Sequence, residues 1–511
     1  MDVVISSDRP LTEAEVEAVA RHGAPISLDR ECLERLGAVR AYVEELAAGD
    51  VPAYGISTGF GALATKHIPP AQRTQLQRSL VRSHAASSGS EIEAEVVRGT
   101  ALLRLRTLAT GHTGVRPGTA QAYADLLNAG ITPVVREFGS LGCSGDLAPL
   151  AHIALAVMGE GEVRTASGLQ PAGVALSQAG LQPVELAEKE GLALINGTDG
   201  MLAMLMLACA DLERLLQTAD LTAAMSLEAL LGTDRPLAAD VLALRPHPGQ
   251  AAAAANMRRL LAGSTIVASH RGPEDTRVQD AYSLRCAPQV AGAARDTLAH
   301  CRLVAAREAG SAIDNPVLLD DGRIESNGNF HGAPVAYALD FLAIAIADLA
   351  SISERRTDRL LDRARSHGLP PFLADDPGVD SGLMIAQYTQ AALVSELKRL
   401  AAPASVDSIP SSAMQEDHVS MGWSAGRKLR RAVDALTRVL AIELVTAARA
   451  LDLRSPLQPA AATAASVAAL RTQVPGPGPD RYLSPELEAA VDLVRSGVVL
   501  AAAVAVTGPL E

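Results

Sequence analysis

Aromatic side chains are scarce in this 511-residue chain: 3% of the total, with one Trp, seven Tyr and five Phe. Sheets draw heavily on aromatic and β-branched residues, so a sandwich or barrel is disfavoured. Cysteine is sparse as well. The five cysteines, Cys32, Cys143, Cys209, Cys286 and Cys301, are odd in number and scattered, with no CxxC pair. That pattern excludes a disulfide framework and a zinc module. No block of lysine or arginine interrupts a formal net charge of −13, so nucleic acid and anionic membrane are poor partners. No window reaches about 18 uninterrupted apolar residues, and the opening MDVVISSDRPLTEAEV lacks a basic segment followed by an apolar one. The expectation is a soluble, cytoplasmic protein with no membrane partner. HExxH and other compact ligand spacings are missing too, so no metal is expected.

What the chain does have is apolar bulk, 48% hydrophobic, rich in alanine and leucine. That mix suits long, closely packed helices. Residues 199 to 231 run apolar on nearly all faces and stop at Gly232, with Pro236 beyond; such a helix must be enclosed by others. Residues 334 to 362 begin at Pro334 and continue for about 29 residues, roughly 43 Å at 1.5 Å per residue. Asp340 and Asp348 within them argue against a membrane span. Stretches 383 to 401 and about 417 to 452 have the same character, and Ser90 to Glu93 reads as a capping box for a helix over about 91 to 109. The fold class is therefore all-α, a long central helical bundle with a more loop-rich N-terminal region. The expected division is 1–200 loop-rich, 201–455 central bundle, and 456–511 a peripheral C-terminal segment.

One run stands apart: EFGSLGCSGDLAPLAH, residues 137 to 152. In its plainest reading it is a glycine-rich turn, with Ser144 or Asp146 capping a helix that starts near Leu147. The other reading is chemical. A glycine amide, unencumbered by a Cβ, can attack the carbonyl two residues back if the turn is tight enough. If Gly145 nitrogen closes on the Cys143 carbonyl and two waters leave, the product is an imidazolone whose exocyclic methylidene comes from Ser144. The chain would then make its own electrophile with no partner histidine.

That segment resembles the cofactor-forming motif of the aromatic amino acid ammonia-lyase family. The likeness runs from about residue 50 to 450, through YGISTGFGAL, SLVRSHAA, GHTGVRPG, GSLGCSGDLAPLAH, KEGLALINGTDG, RVQDAYSLRCAPQV, DNPV, SNGNFHG and PSSAMQEDHVSMGW. The resemblance implies a 4-methylidene-imidazole-5-one (MIO) prosthetic group formed from Cys143, Ser144 and Gly145, and a homotetramer with shared active sites. By the same resemblance Tyr54 is the base for the substrate's β-proton. Asn196, Gln279, Tyr282, Arg285 and Phe330 match pocket residues, with Tyr282 among the catalytic groups and Arg285 suited to clamp a carboxylate bidentately. Gln279, Tyr282 and Arg285 are spaced i, i+3, i+6, so on a helical turn they share one face.

His84 and Glu416 match positions that face the substrate side chain in histidine-acting members; Met384 lines the same pocket and Gln415 binds substrate beside it. A carboxylate can accept a hydrogen bond from an imidazole N–H, which a benzene ring cannot offer. The pair points to L-histidine, deaminated to trans-urocanate and ammonia. A relative acting on tyrosine or phenylalanine, or an aminomutase, is the nearest alternative. A silent protein on the same fold and a hydrolase using Cys143 stand further off. Three features depart from the family pattern: Cys143 where alanine is commoner, SSG at 87 to 89 where a glycine is expected earlier, and Met414 where a polar residue is frequent.

Overall fold

The computed structural model describes residues 2–48, 58, 68–272, 275 and 278–511. Most of them are helical, and the strands are short, two to four residues each, in small two- and three-stranded sheets. The low aromatic content is matched by this lack of extended sheet.

Contacts divide the chain into two compact units that are not consecutive in sequence. Unit 1 comprises residues 1–210, 301–340 and 403–427; unit 2 comprises 211–300, 341–402 and 428–511. Four long helices, Asp199–Ala229, Ala287–Ala309, Ala333–Leu361 and Gly422–Asp452, begin in one unit's residues and end in the other's. This differs from the sequential 1–200, 201–455, 456–511 division, because a helix of 29 or 31 residues contributes different turns to different cores.

In unit 1 the local rules are visible at the first helix, Glu13–His22. Thr12 and Glu15 form a reciprocal capping box, and Gly23 ends the helix at φ 65°. The second expected box does not form. Ser90 lies in the strand Ser88–Glu91, paired with Arg136–Phe138, and the helix starts at Ala94 with no side-chain cap. The Glu93 carboxylate is instead engaged by Arg427, a charge-assisted partner stronger than a neutral cap.

The helix Ala94–Ala109 is buried almost throughout, including Arg104 and Arg106. Buried charge requires partners. Lys189, fully buried, donates to Asp314 (2.5 Å) and to the Thr113 carbonyl (2.9 Å). Glu190 takes Arg116 (2.6 Å), the Thr119 hydroxyl (2.6 Å) and the Ala187 amide (2.8 Å). These bonds fasten GHTGVRPG, KEGLALINGTDG and DNPV to one another and fix the short helix Glu190–Ile195, which delivers Asn196.

The helix Ala333–Leu361 is long and apolar enough by length and composition to cross a membrane, yet most of its apolar stretch is buried in the fold. Asp340, inside it, accepts the Ser405 amide at 2.7 Å.

Unit 2 packs its polar residues the same way. Glu443 sits buried among Arg356, Ser353 (2.6 Å), Thr222 (2.9 Å) and Ser226 (2.8 Å), so its charge is met on every side. The C-terminal segment, expected at the periphery, supplies three helices to this unit, Ala461–Leu470, Ser484–Arg495 and Val498–Thr507, with Leu470, Ala490 and Val499 buried. The Ala460 amide and Thr463 hydroxyl both donate to Glu228 at 2.7 Å.

Candidate active site

The Cys143–Ser144–Gly145 turn lies at the head of the helix Leu147–Val157 in unit 1. It is held from both flanks. Ser420 donates to the Gly142 carbonyl (2.8 Å) and Met421 to that of Leu141 (2.9 Å). On the far side the Asp146 amide donates to the Gly197 carbonyl at 2.7 Å, and Gly145 pairs with Gly197 in a parallel bridge.

Gly145 has φ +73°, and a Cβ there would collide with the Gly197 carbonyl. Only glycine allows both the left-handed backbone and this approach. Gly142, at φ +66°, is similarly closed off by the Ser420 hydroxyl.

Asp146 occupies the N-cap position but makes no side-chain cap. Its carboxylate instead accepts from Ser140 (2.8 Å) and from the Met201 amide (2.8 Å). Burial pushes its acid up to about 7, against the pull of those donors. Ser144 makes no cap either: the Asn196 amide nitrogen reaches its hydroxyl at 3.3 Å, while Asn196 Oδ1 is buried with no partner among the described residues.

Glu416 reaches the same turn. Burial, together with the negative charge of this carboxylate, raises the Cys143 thiol to about 12. Ser411 holds the carboxylate with a 2.8 Å bond. A thiol so raised is protonated at neutral pH and is a poor nucleophile, which speaks against the hydrolase alternative.

The other expected residues of unit 1 lie nearby in sequence or on separate elements. Phe330 is half-buried, next to His331, whose Nε2 lies 3.1 Å from His418 Nδ1. Gln415 and Met414 are exposed. His84 ends the helix Pro70–His84 with Nδ1 bonded to the Leu80 carbonyl at 2.8 Å. Tyr54 lies outside the described residues. At the SSG departure, Ser87 bonds His152 Nε2 at 2.7 Å and so ties this segment to the helix that follows the turn.

Gln279, Tyr282, Arg285 and Met384 belong to unit 2. The helix there is only Tyr282–Arg285, so Gln279 precedes it and the shared helical face does not exist. The three side chains meet nonetheless. Arg285 bonds the Gln279 side-chain oxygen, and its guanidinium lies over the Tyr282 ring, 4.8 Å from the centroid. Tyr282 is 71% exposed and Arg285 Nε has no partner among the described residues. Met384 opens the helix Met384–Leu400, half-buried. Among the described residues no group of three His, Cys, Asp or Glu is placed to hold a metal.

Three features were missed in the sequence: Ser420 beneath Gly142, the carboxylate of Asp146 turned toward Met201, and Arg104 behind Asn196. None leaves a local trace: the helix that carries Arg104 also carries Arg98 and Arg106.

Residues 11–472 match the family model described as aromatic amino acid lyase. The chain is 65% identical to histidine ammonia-lyase of Streptomyces avermitilis, with all of both chains covered. It is 51% identical to that of Sorangium cellulosum, covering 98% and 99%. Among solved structures it is similar to histidine ammonia-lyase from Trypanosoma cruzi, at 38% identity and TM-score 0.91, covering 99% and 96%. It is also similar to tyrosine aminomutase from Streptomyces globisporus, at 37% identity and TM-score 0.95, with all of both chains covered.

Proposed function

The chain belongs to the aromatic amino acid lyase family and is a carbon–nitrogen lyase; from that premise we propose that it removes ammonia from L-histidine to give trans-urocanate. The observation that carries the choice of substrate is the Glu416 carboxylate, held by Ser411 at 2.8 Å and close enough to Cys143 for its charge to raise the thiol, where an imidazole N–H can be received. Full-length identity of 65% to histidine ammonia-lyase supports it.

The residues of the turn fit an MIO group made from Cys143, Ser144 and Gly145. Gly145 is at positive φ with Gly197 against it, Ser144 is half-buried, and Asn196 aims an amide at the Ser144 hydroxyl. That group supplies the electrophile for the substrate amine. The chain's own side chains do the rest. Arg285, with Gln279 and Tyr282 in contact, supplies a guanidinium suited to take the substrate carboxylate in a charge-assisted bond. Asn196 donates to charge that develops at the turn. Glu416, with His84, Gln415, Met384 and Phe330, orients the imidazole, and Tyr54 takes the β-proton.

The assembly we propose is a cytoplasmic homotetramer with shared active sites. Exposed apolar side chains of unit 2, Phe341 and Ile344 on one helix and Ile385 and Tyr388 on another, are the kind of surface that a further copy covers.

Ammonia release from L-histidine, L-tyrosine and L-phenylalanine, measured in parallel with near-ultraviolet absorbance of the product, tests the reading. Release from histidine alone is expected. Release from tyrosine or phenylalanine instead, or a β-amino acid product, overturns the substrate assignment in favour of the lyase or aminomutase alternative.

A further inference from the structure

We propose that Arg104 is a positioning residue whose guanidinium sets the Asn196–Gly197 peptide against the Cys143–Ser144–Gly145 turn and so governs how completely that turn cyclises. The inference rests on the prosthetic-group reading above. Arg104 projects from the helix Ala94–Ala109 and is fully buried. Its Nη1 donates to the Asn196 carbonyl (2.7 Å) and to Asp199 (3.1 Å), and its Nη2 donates to the Ile313 carbonyl (2.9 Å).

Gly197 is the layer between. A Cβ on Gly197 would strike Arg104 Nη1 and the Asp199 carboxylate, while a Cβ on Gly145 would strike the Gly197 carbonyl. Guanidinium, peptide and turn are therefore stacked without slack, and a shift of the first passes through a single peptide to the third. The Asn196 side chain that reaches Ser144 is carried by the residue whose carbonyl Arg104 holds.

Closure is sensitive to such a shift because it is an attack within a turn. It joins Gly145 nitrogen to the Cys143 carbonyl carbon. The carbonyl oxygen leaves as water with the amide hydrogens of Gly145 and Ser144; the Ser144 hydroxyl leaves as the second water with its Cα hydrogen. Neither the donors that orient Gly197 nor the glycines themselves change charge in this step, so the contribution of Arg104 is geometric.

Lysine keeps a positive charge beside Asp199 but concentrates it at one nitrogen, and cannot span the Asn196 and Ile313 carbonyls as the planar fork does. The experiment is intact mass, with circular dichroism as the folding control, on wild type, Arg104→Lys and Thr107→Val. Thr107 donates to the same Asp199 at 3.4 Å without touching Asn196. Wild type and Thr107→Val are expected two waters lighter than their sequences, with at least half of the Arg104→Lys chains at the unmodified mass. Full dehydration of folded Arg104→Lys overturns the proposal, as does equal loss in Thr107→Val, which would mark a general response of the buried cluster. Where Arg104→Lys does not fold, Gly197→Ala replaces it: its methyl displaces the fork with every charge retained, and a fully dehydrated product overturns the proposal. An unmodified wild type is a different failure, that of the prosthetic-group reading itself.

Discussion

The turn from Ser140 to Asp146 and the trio Gln279, Tyr282 and Arg285 solve opposite problems. The turn is fixed on both flanks, by Ser420 and Met421 on one and by Gly197 on the other, and its glycines have no room for a methyl group. The trio is held mainly by its own members: Tyr282 stands exposed, and half-buried Arg285 lies over its ring and bonds Gln279. A group that must be built from backbone atoms needs its geometry settled before any substrate arrives. Groups that only hold a carboxylate can wait for it, at the cost of being ordered on binding. Rigidity thus lies where a bond is made within the chain, and a partly exposed cluster where a ligand is met.

Substitutions in the two places should separate in kind. Ser144→Ala removes the methylidene precursor, and kcat/KM for histidine is expected to fall at least about a thousandfold with circular dichroism unchanged; activity within tenfold of wild type would erase the distinction. Arg285→Lys keeps charge and loses the fork, so KM should rise by about 30- to 100-fold, roughly 2 to 3 kcal/mol, while the mass stays two waters light. A variant at its full sequence mass would mean that the trio also shapes the turn. Glu416→Ala should lower histidine turnover by about 10- to 30-fold relative to phenylalanine turnover, the worth of a hydrogen bond to a charged group; equal losses would remove its role toward imidazole. The smallest effect belongs to Cys143→Ala, within about twofold of wild type, because the thiol, raised to about 12, carries no thiolate at neutral pH. Iodoacetamide should likewise leave activity intact, and inactivation would revive a nucleophilic cysteine.

Helices were legible because their signals are local. The predicted 199–231 and 334–362 appear as Asp199–Ala229 and Ala333–Leu361, with each end within two residues of the expected one, and the nine motifs marked the family. What escaped was whatever depends on a distant partner. Ser90–Glu93 has the form of a capping box, but Arg427 claims Glu93. Asp146 has the form of a cap, but the Met201 amide claims its carboxylate. The spacing of Gln279, Tyr282 and Arg285 suggested a helical face; they meet instead through a side-chain bond and a cation over a ring, with one helical turn among them. No pattern in residues 94 to 109 tells that Arg104 stands behind Gly197, since its partners are set by tertiary contact.

The most direct test of the account is the mass of the peptide that contains residues 137 to 152, released from the folded wild-type protein and compared with the same peptide from Ser144→Ala. The expected outcome is a wild-type peptide lighter by two waters and a variant peptide that retains the oxygen and hydrogens closure would have expelled. A wild-type peptide at its full sequence mass, in protein that nonetheless releases ammonia from histidine, would contradict the claim that this turn builds the electrophile.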